Sequence, residues 1–138
     1  MFDKLNTLKV FFEKPTQEFN VREIARILKI APATASKNLQ ELAKEKVLKE
    51  RKHKIFNLYK ANLDSDYYTD LKIHYNIRQI KTTGLLDALN KFYLKPTIVL
   101  FGSAAFGLDT ETSDFDLLII SEKTKELPRI KEFEEKLK

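Results

Sequence analysis

Hydrophobic residues in the first third of the chain recur at helical spacing. Apolar residues at positions 2, 5, 8 and 12 predict one face of a helix that Pro15 ends. After a short extended entry, Asn20 is the expected N-cap of a second helix over residues 21–28. Residues 29–31 then make a turn, and Pro32 takes the first position of a third helix that runs to Lys44.

The third predicted helix has one apolar face and one polar face. At about 100° per residue, one side collects a set of residues that we expect to be buried: Ala35, Leu39, Leu42 and Ala43. The other side is polar, with Lys37, Gln40 and Glu41 flanked by Thr34 and Ser36. Two short helices joined by a tight turn, the second with a polar outer side, are typical of a helix-turn-helix.

Alternating residues after the third helix predict a two-stranded hairpin. Residues 47–52 and 54–59 can pair around His53, with three side chains turned inward: Leu48, Phe56 and Leu58. Three helices followed by a hairpin, or wing, is the element order of a winged helix-turn-helix. We therefore interpret residues 1–63 as one domain of this kind.

Residues 64–95 have the pattern of an amphipathic helical linker. Its apolar and aromatic positions, at spacings that suit a packed helix, are Tyr67, Tyr68, Leu71, Tyr75, Ile77 and Ile80. Gly84 interrupts the pattern, which restarts and ends near Tyr93. Two interpretations are open: a seam between two copies of the chain, or packing between the domains of one copy.

The last third of the chain combines two apolar strands with residues that can carry chemistry. Residues 97–101 and 117–120 predict buried strands; Gly102 and Ser103 follow the first, and Asp114 and Asp116 precede the second. Residues i and i+2 of a strand point to one face, so the two carboxylates should converge. Beside a glycine that permits close approach, they could hold Mg²⁺ and a polyphosphate, with the Ser103 hydroxyl on a phosphate oxygen.

Composition excludes several classes of protein. The 138 residues include no cysteine, so there is neither a disulfide framework nor a cysteine-based zinc site, and a reducing cytoplasm is the expected location. No apolar run is long enough to cross a bilayer, and no signal peptide is recognisable, so we expect no membrane association.

Charge is distributed unevenly along the chain. Residues 1–63 hold 14 Lys and Arg against 7 Asp and Glu, whereas residues 64–138 hold 11 against 13. A basic first half favours double-stranded DNA as a partner. Lys37 and Gln40 would read base edges, Thr34 and Ser36 would contact phosphates or nearby bases, and the wing would bind phosphates through Lys49, Arg51, Lys52 and Lys54. The alternative is a winged helix that contacts only proteins, its lysines simply solvated.

Specific motifs resemble known families. Residues 31–39 resemble the start of the recognition helix in bacterial and archaeal regulators of the winged-helix class. Residues 100–107, then Asp109 and residues 113–117, resemble the signature of minimal nucleotidyltransferases of the DNA polymerase β superfamily, a likeness that covers about residues 96–121. A winged helix ahead of such a domain is similar to archaeal transcriptional regulators that carry a nucleotidyltransferase domain.

The resemblance implies roles for four residues. Gly102 and Ser103 would bind the nucleoside triphosphate, and Asp114 and Asp116 would bind Mg²⁺ and act in catalysis. The sequence departs from the family at Phe106, where Arg or Lys is usual, and in offering no later strand with a third carboxylate. Residues 126–138 read instead as one polar helix, so we expect an abbreviated, apparently truncated domain over residues 96–138.

These observations predict an α+β protein with an N-terminal winged helix-turn-helix, a helical linker and an abbreviated nucleotidyltransferase-like α/β domain. The leading hypothesis is a homodimeric DNA-binding transcriptional regulator that binds Mg²⁺ with ATP or another nucleoside triphosphate. If competent, it would transfer a nucleotidyl group to a hydroxyl of a protein or small acceptor. One alternative is a regulator with a catalytically inactive scaffold domain, and another is an antitoxin-like protein that modifies a cognate partner.

Overall fold

The computed structural model describes residues 2–137, which form six α-helices, one short 3₁₀ helix and two small antiparallel sheets, a mixed α+β composition. The chain divides into two compact units. The first contains the residues up to Leu71 together with Thr110–Thr112, and the second contains Lys72–Asp109 together with the residues from Ser113 onward. No helix within residues 2–137 has both the length and the apolar character needed to cross a membrane.

The first unit combines three helices with a three-stranded sheet. In chain order its elements are α1 (Phe2–Glu13), β1 (Phe19–Asn20), α2 (Val21–Leu28), α3 (Pro32–Lys44), β2 (Leu48–His53) and β3 (Phe56–Ala61). The strands are antiparallel in the order β1-β3-β2. The three helices predicted from the sequence are confirmed.

Local side-chain chemistry fixes the ends of α2 and α3. Asn20 Oδ1 accepts from the Glu23 backbone N–H at 2.9 Å, and Glu23 Oε2 accepts from the Asn20 N–H at 2.8 Å, which is a reciprocal capping box. Lys29 ends α2 in the left-handed conformation, and Pro32 begins α3 where a missing N–H costs nothing. The predicted cap, turn and proline position are therefore all present.

The core of the first unit differs from the sequence prediction on α1. The helix buries Leu8, Phe11 and Phe12, but Leu5 is exposed, and the side chain of Phe2 lies outside the described residues. The predicted stripe at positions 2, 5, 8 and 12 was therefore wrong at Leu5. The spacing of residues 8, 11 and 12 is equally helical, and the neighbouring elements decide which of the two faces is covered.

The wing has a different register from the predicted one. His53 pairs with Phe56 across a two-residue turn, so β3 begins later than expected and runs to Ala61. Leu48 is buried as predicted, but Phe56 is 43% exposed, and the buried residues of β3 are Tyr59 and Ala61. The prediction for Phe56 and Leu58 was wrong because the observed pairing is offset from the predicted one by an odd number of residues, which turns the opposite set of side chains inward.

Two helices follow the wing. α4 spans Asp66–Thr82 and α5 spans Leu85–Phe92, separated by Thr83 and Gly84; Gly84 has a φ of 81° and is the N-cap of α5. The break predicted at Gly84 is confirmed. The fully covered side of α4 reads Tyr68, Lys72, Asn76 and Ile80, one residue per turn.

The second unit holds a two-stranded sheet with one covered face. β4 (Thr97–Phe101) pairs antiparallel with β5 (Asp116–Ile120). Its inward residues pack against a small core of Ile80, Leu85, Leu89 and Leu127. Alternate residues are exposed, among them Val99, Phe101, Leu118 and Ile120, so the prediction of fully buried strands was wrong. The helices pack against one face of this two-stranded sheet, and the other face stays exposed.

The last helix is shorter than predicted. α6 spans Ile130–Leu137, whereas the sequence pattern placed a helix over residues 126–138; Lys138 lies outside the described residues. Pro128 restricts the preceding residue to extended conformations, and Arg129 has a φ of 60°. These two residues delay the start of the helix to Ile130.

Candidate nucleotide site and nucleic-acid interface

A tight turn follows β4 and carries the predicted phosphate-binding residues. Gly102 has φ 75° and ψ −162°, a conformation that glycine alone adopts readily. Residues Ser103–Phe106 then form the 3₁₀ helix, and Gly107 ends it with a φ of 69°. The Leu108 N–H closes the turn by bonding to the Ser103 carbonyl at 3.0 Å. We call this segment the Gly102–Gly107 turn.

Asp116 lies directly against this turn. Its backbone pairs with Phe101 at the last position of the β4–β5 ladder, which sets it opposite the start of the turn. A Cβ placed on Gly102 would overlap Asp116 Oδ2, and the Asp116 Cγ and Cβ would be 3.4 and 3.6 Å from it. The carboxylate therefore occupies the space that the missing side chain leaves.

Asp114 reaches this end of the sheet without being part of the strand. β5 begins at Asp116, so Asp114 belongs to the preceding loop, contrary to the prediction that a strand presents both carboxylates. The alternation nevertheless extends into the loop: Asp114 and Asp116 are exposed, while Phe115 is partly buried against the core. An exposed carboxylate against a glycine, with a second exposed carboxylate two residues before it, suits a hard divalent cation, which prefers oxygen ligands.

The Ser103 side chain is available for a ligand. It is partly buried, and its hydroxyl has no hydrogen-bond partner within residues 2–137. Ser103 directly follows Gly102, and the missing Cβ of Gly102 lets the Asp116 carboxylate approach the backbone. A hydroxyl donor and carboxylates on adjacent segments are the groups that a metal-bound phosphate needs.

Two groups that would help to bind a metal–nucleotide complex, a positive charge at position 106 and a third metal-binding side chain, are absent from the described residues of this site. Phe106, at the end of the 3₁₀ helix, is 67% exposed and brings no positive charge. Within the described residues, no group of three or more His, Asp or Glu side chains is placed to hold a metal ion. The candidate cation ligands are therefore Asp114 and Asp116.

Sequence reasoning missed a buried polar network beside the turn. Lys72 Nζ lies 3.0 Å from Asp109 Oδ2, and Asn76 Nδ2 donates to Asp109 Oδ1 at 2.6 Å. The same amide donates to the Ala104 carbonyl at 3.1 Å. The available signal was polar residues at positions 72 and 76, in register with Tyr68 and Ile80 along the buried side of α4.

α3 presents most of the predicted base-reading residues to solvent. Lys37 and Gln40 are exposed, and Thr34 and Ser36 are partly exposed. Gln40 Nε2 lies 3.2 Å from Ser36 Oγ, one turn back along the helix. Lys37 has no ion-pair partner within residues 2–137, so its charge is available to a partner molecule.

Two of the four predicted wing cations, Lys49 and Arg51, already bind carboxylates of the same unit. Arg51 is held by Glu18, with Nε to Oε1 at 3.0 Å and Nη2 to Oε2 at 2.6 Å, and Lys49 Nζ lies 2.5 Å from Asp64 Oδ2. The hydrogen bond from Arg51 lowers the pKa of Glu18, and the one from Lys49 lowers the pKa of Asp64.

Lys52 and Lys54, nearer the wing tip, are exposed and have no ion-pair partner in the described part of the chain. Lys54 has a φ of 57° in the two-residue turn that joins β2 to β3. The unpaired positive charge of the wing is therefore concentrated at its tip.

Comparison with known proteins bears on the second unit. Residues 82–138 match the family model described as a nucleotidyltransferase domain. No curated protein and no solved structure matches the chain significantly. The matched segment includes α5, both strands of the two-stranded sheet, the Gly102–Gly107 turn and the two aspartates.

Proposed function

We propose that this chain is a cytoplasmic DNA-binding transcriptional regulator whose nucleotidyltransferase-like domain binds Mg²⁺ with ATP or another nucleoside triphosphate. The domains are those predicted from the sequence: a winged helix over 1–63, a helical linker over 64–95 and the nucleotide domain over 96–138. The observation that carries the proposal is the seating of the Asp116 carboxylate against Gly102, inside the segment that matches the nucleotidyltransferase family.

The Gly102–Gly107 turn and the two aspartates would bind different parts of the nucleotide–metal complex. The Ser103 hydroxyl donates to a phosphate oxygen, and Gly102 lets the phosphate chain approach the backbone. Asp114 and Asp116 hold Mg²⁺, which when bound would neutralise the charge of the triphosphate and polarise it toward attack. The space left by the missing Cβ, and the exposure of both carboxylates, fit a cation with oxygen ligands.

The proposed reaction is transfer of a nucleotidyl group to a hydroxyl on a protein or a small acceptor. The acceptor oxygen forms a bond to the α-phosphorus while the bond from that phosphorus to the oxygen bridging to the β-phosphate breaks. Pyrophosphate leaves with the bonding electron pair, and the hydroxyl proton passes to water. Asp114 and Asp116 would contribute by holding the cation, because carboxylates do not themselves bind a phosphate of the same charge.

The first unit supports double-stranded DNA as the partner. Helices α2 and α3 joined by the Lys29 turn, followed by the β2–β3 hairpin, follow the order of a winged helix-turn-helix. We propose that Lys37 and Gln40 read base edges in the major groove, with Thr34 and Ser36 on phosphates or nearby bases. Lys52 and Lys54 bind backbone phosphates directly, whereas Lys49 and Arg51 must first exchange their carboxylate partners.

A homodimer completes the proposal, because regulators of this class read two half-sites with two copies. Tyr68 and Ile80 are buried within the chain, so they serve its own packing. Tyr67 and Ile77 on the same helix are exposed and are among the linker residues that a second copy would cover.

Calorimetric titration of the full chain with ATP tests the nucleotide site. We expect binding that requires Mg²⁺ and that disappears in the Asp114→Asn/Asp116→Asn variant. Glu135→Gln, which removes one exposed charge from α6, is the matched control and should bind as the wild type does. Failure of the wild type to bind any of the four nucleoside triphosphates with Mg²⁺ would overturn this half of the proposal.

Fluorescence anisotropy with genomic DNA fragments tests the other half. We expect Lys37→Ala to weaken sequence preference and Lys52→Ala to weaken binding uniformly while lowering the salt dependence by about one counterion. Lys131→Ala, an exposed lysine of α6, is the control. Equal effects of all three substitutions would mean that the first unit has no specific DNA face.

A second candidate is a regulator whose nucleotide-like domain is a catalytically inactive scaffold. Two features favour it. Phe106 brings no positive charge, and the described part of the site offers two candidate carboxylates with no third metal-binding side chain beside them. DNA binding that is indifferent to ATP and Mg²⁺, with no nucleotidyl product from labelled ATP, would select this candidate. Labelling of a co-purified protein would instead select an antitoxin-like role.

A further inference from the structure

A buried polar network fixes the Gly102–Gly107 turn at two points. Asn76 Nδ2 holds the Ala104 carbonyl within the turn and Asp109 Oδ1 two residues beyond it. Lys72 Nζ supplies the charge that balances the Asp109 carboxylate. The exposed fractions of Lys72, Asn76 and Asp109 are 3%, 1% and 7%, so the network is shielded from solvent.

Packing alone does not account for these residue types. The attraction within a buried ion pair is largely offset by the loss of hydration, and apolar side chains of similar size are often at least as stabilising. The same side of α4 is filled by Tyr68 one turn before Lys72 and by Ile80 one turn after Asn76. The network instead orients the groups that it joins, because hydrogen bonds to an amide and a carboxylate are directional.

Both points that are held follow Ser103, the proposed phosphate-binding residue, in the chain. Ala104 follows Ser103 directly, and Asp109 follows Leu108, whose N–H bonds to the Ser103 carbonyl at 3.0 Å. A shift of Asn76 or Asp109 would therefore move Ser103 relative to Asp116. Since the three side chains are buried, they can influence a nucleotide only through the turn.

We propose that Lys72, Asn76 and Asp109 are positioning residues that hold the Gly102–Gly107 turn in the shape that receives a nucleoside triphosphate. This inference rests on the proposed nucleotide site and names the buried residues that hold its turn in place. Lys72 and Asn76 lie one turn apart on α4, so one rigid helix fixes both partners of Asp109.

The test uses the full chain with Asn76→Leu, which is close in size and releases both Ala104 and Asp109. Gln79→Leu, the same kind of change on α4 away from the turn, is the matched control. We expect Asn76→Leu to weaken Mg²⁺–ATP binding by about tenfold or more and to speed amide exchange at Leu108. Amide exchange in β4 and β5 should stay at the wild-type rate, as it should throughout the control.

Other outcomes decide against the proposal. Unchanged ATP affinity in a folded Asn76→Leu protein overturns it, and so does exchange that accelerates equally through the whole second unit, because that is general destabilisation. If Asn76→Leu does not fold, Lys72→Met/Asp109→Asn removes both charges with little change of shape and takes its place. If the wild type binds no nucleotide, the proposed function fails, and exchange at Leu108 alone decides whether the network fixes the turn.

Discussion

Asp116 occupies the space where a side chain at position 102 would lie. The two residues are brought together by the last pair of the β4–β5 ladder, Phe101 with Asp116, and by the turn that starts immediately after Phe101. Gly102 is thus required twice, by its positive φ and by the carboxylate against it.

Gly102→Ala should therefore damage the candidate site more than the fold. We expect a loss of about 1–3 kcal/mol in stability from the backbone conformation and a loss of about 100-fold in Mg²⁺–ATP affinity from displacement of Asp116. Gly84→Ala is the matched control, because Gly84 also has positive φ but nothing lies within 4 Å of its added Cβ. Thermal unfolding and calorimetry measure the two effects, and equal nucleotide affinities in both variants would contradict the prediction.

Glu18→Gln should strengthen DNA binding. The Glu18 carboxylate engages two nitrogens of Arg51 and places a negative charge beside the wing. Its removal frees the guanidinium for a phosphate, so we expect higher affinity and a salt dependence steeper by about one counterion. Anisotropy over a range of salt concentrations checks this. Glu132→Gln, which breaks the exposed contact between α6 and the preceding Arg129, should leave DNA affinity unchanged.

Alkaline unfolding should depend on Tyr59. Burial raises the pKa of its hydroxyl to about 12, and the hydrogen bond to Glu50 at 3.1 Å adds to the shift. The folded state favours the neutral phenol, so its stabilising effect is complete below the unfolded pKa of about 10 and is lost as the pH rises from there to 12. The free energy of unfolding should fall by about 2 kcal/mol over this range.

Denaturant titrations at several pH values measure this slope. In Tyr59→Phe the fall attributable to the buried phenol should be absent, whereas Tyr67→Phe, which changes an exposed tyrosine, should retain it. The same slope in both variants would show that Tyr59 does not govern the alkaline transition.

Asn20→Ala should destabilise the first unit by about 1 kcal/mol, because α2 loses a side-chain cap. The Asn20 and Glu23 bonds are reciprocal, and so Glu23→Ala should cost less than the loss of the cap itself. Asn20→Asp keeps an acceptor at the helix start and should unfold at close to the wild-type temperature. Thermal melts followed by circular dichroism decide whether the aspartate variant resembles the wild type or the alanine variant.

Much of the architecture was predictable from local pattern. Helix starts at Val21 and Pro32, the break at Gly84 and the strand over Thr97–Phe101 all depend on residues close in sequence, such as caps, prolines, glycines and apolar runs. The roles assigned to Gly102, Ser103, Asp114 and Asp116 stay predictions, although the structure brings Gly102 and Asp116 together. The wing register and the exposed faces of β4 and β5 were not predictable in this way, because they depend on which partner a strand acquires.

The order of helices and strands and the spacing between Gly102-Ser103 and Asp114-Asp116 follow from the order of amino acids, since backbone preferences act over a few residues. Long-range packing, by contrast, sets the contact of Glu18 with Arg51, the burial of Tyr59 in the wing, and the contacts of Lys72 and Asn76 with Asp109. Each of these pairings joins residues that are distant in the chain or reflects which face is covered, and periodicity along one segment carries no information about its neighbour in space.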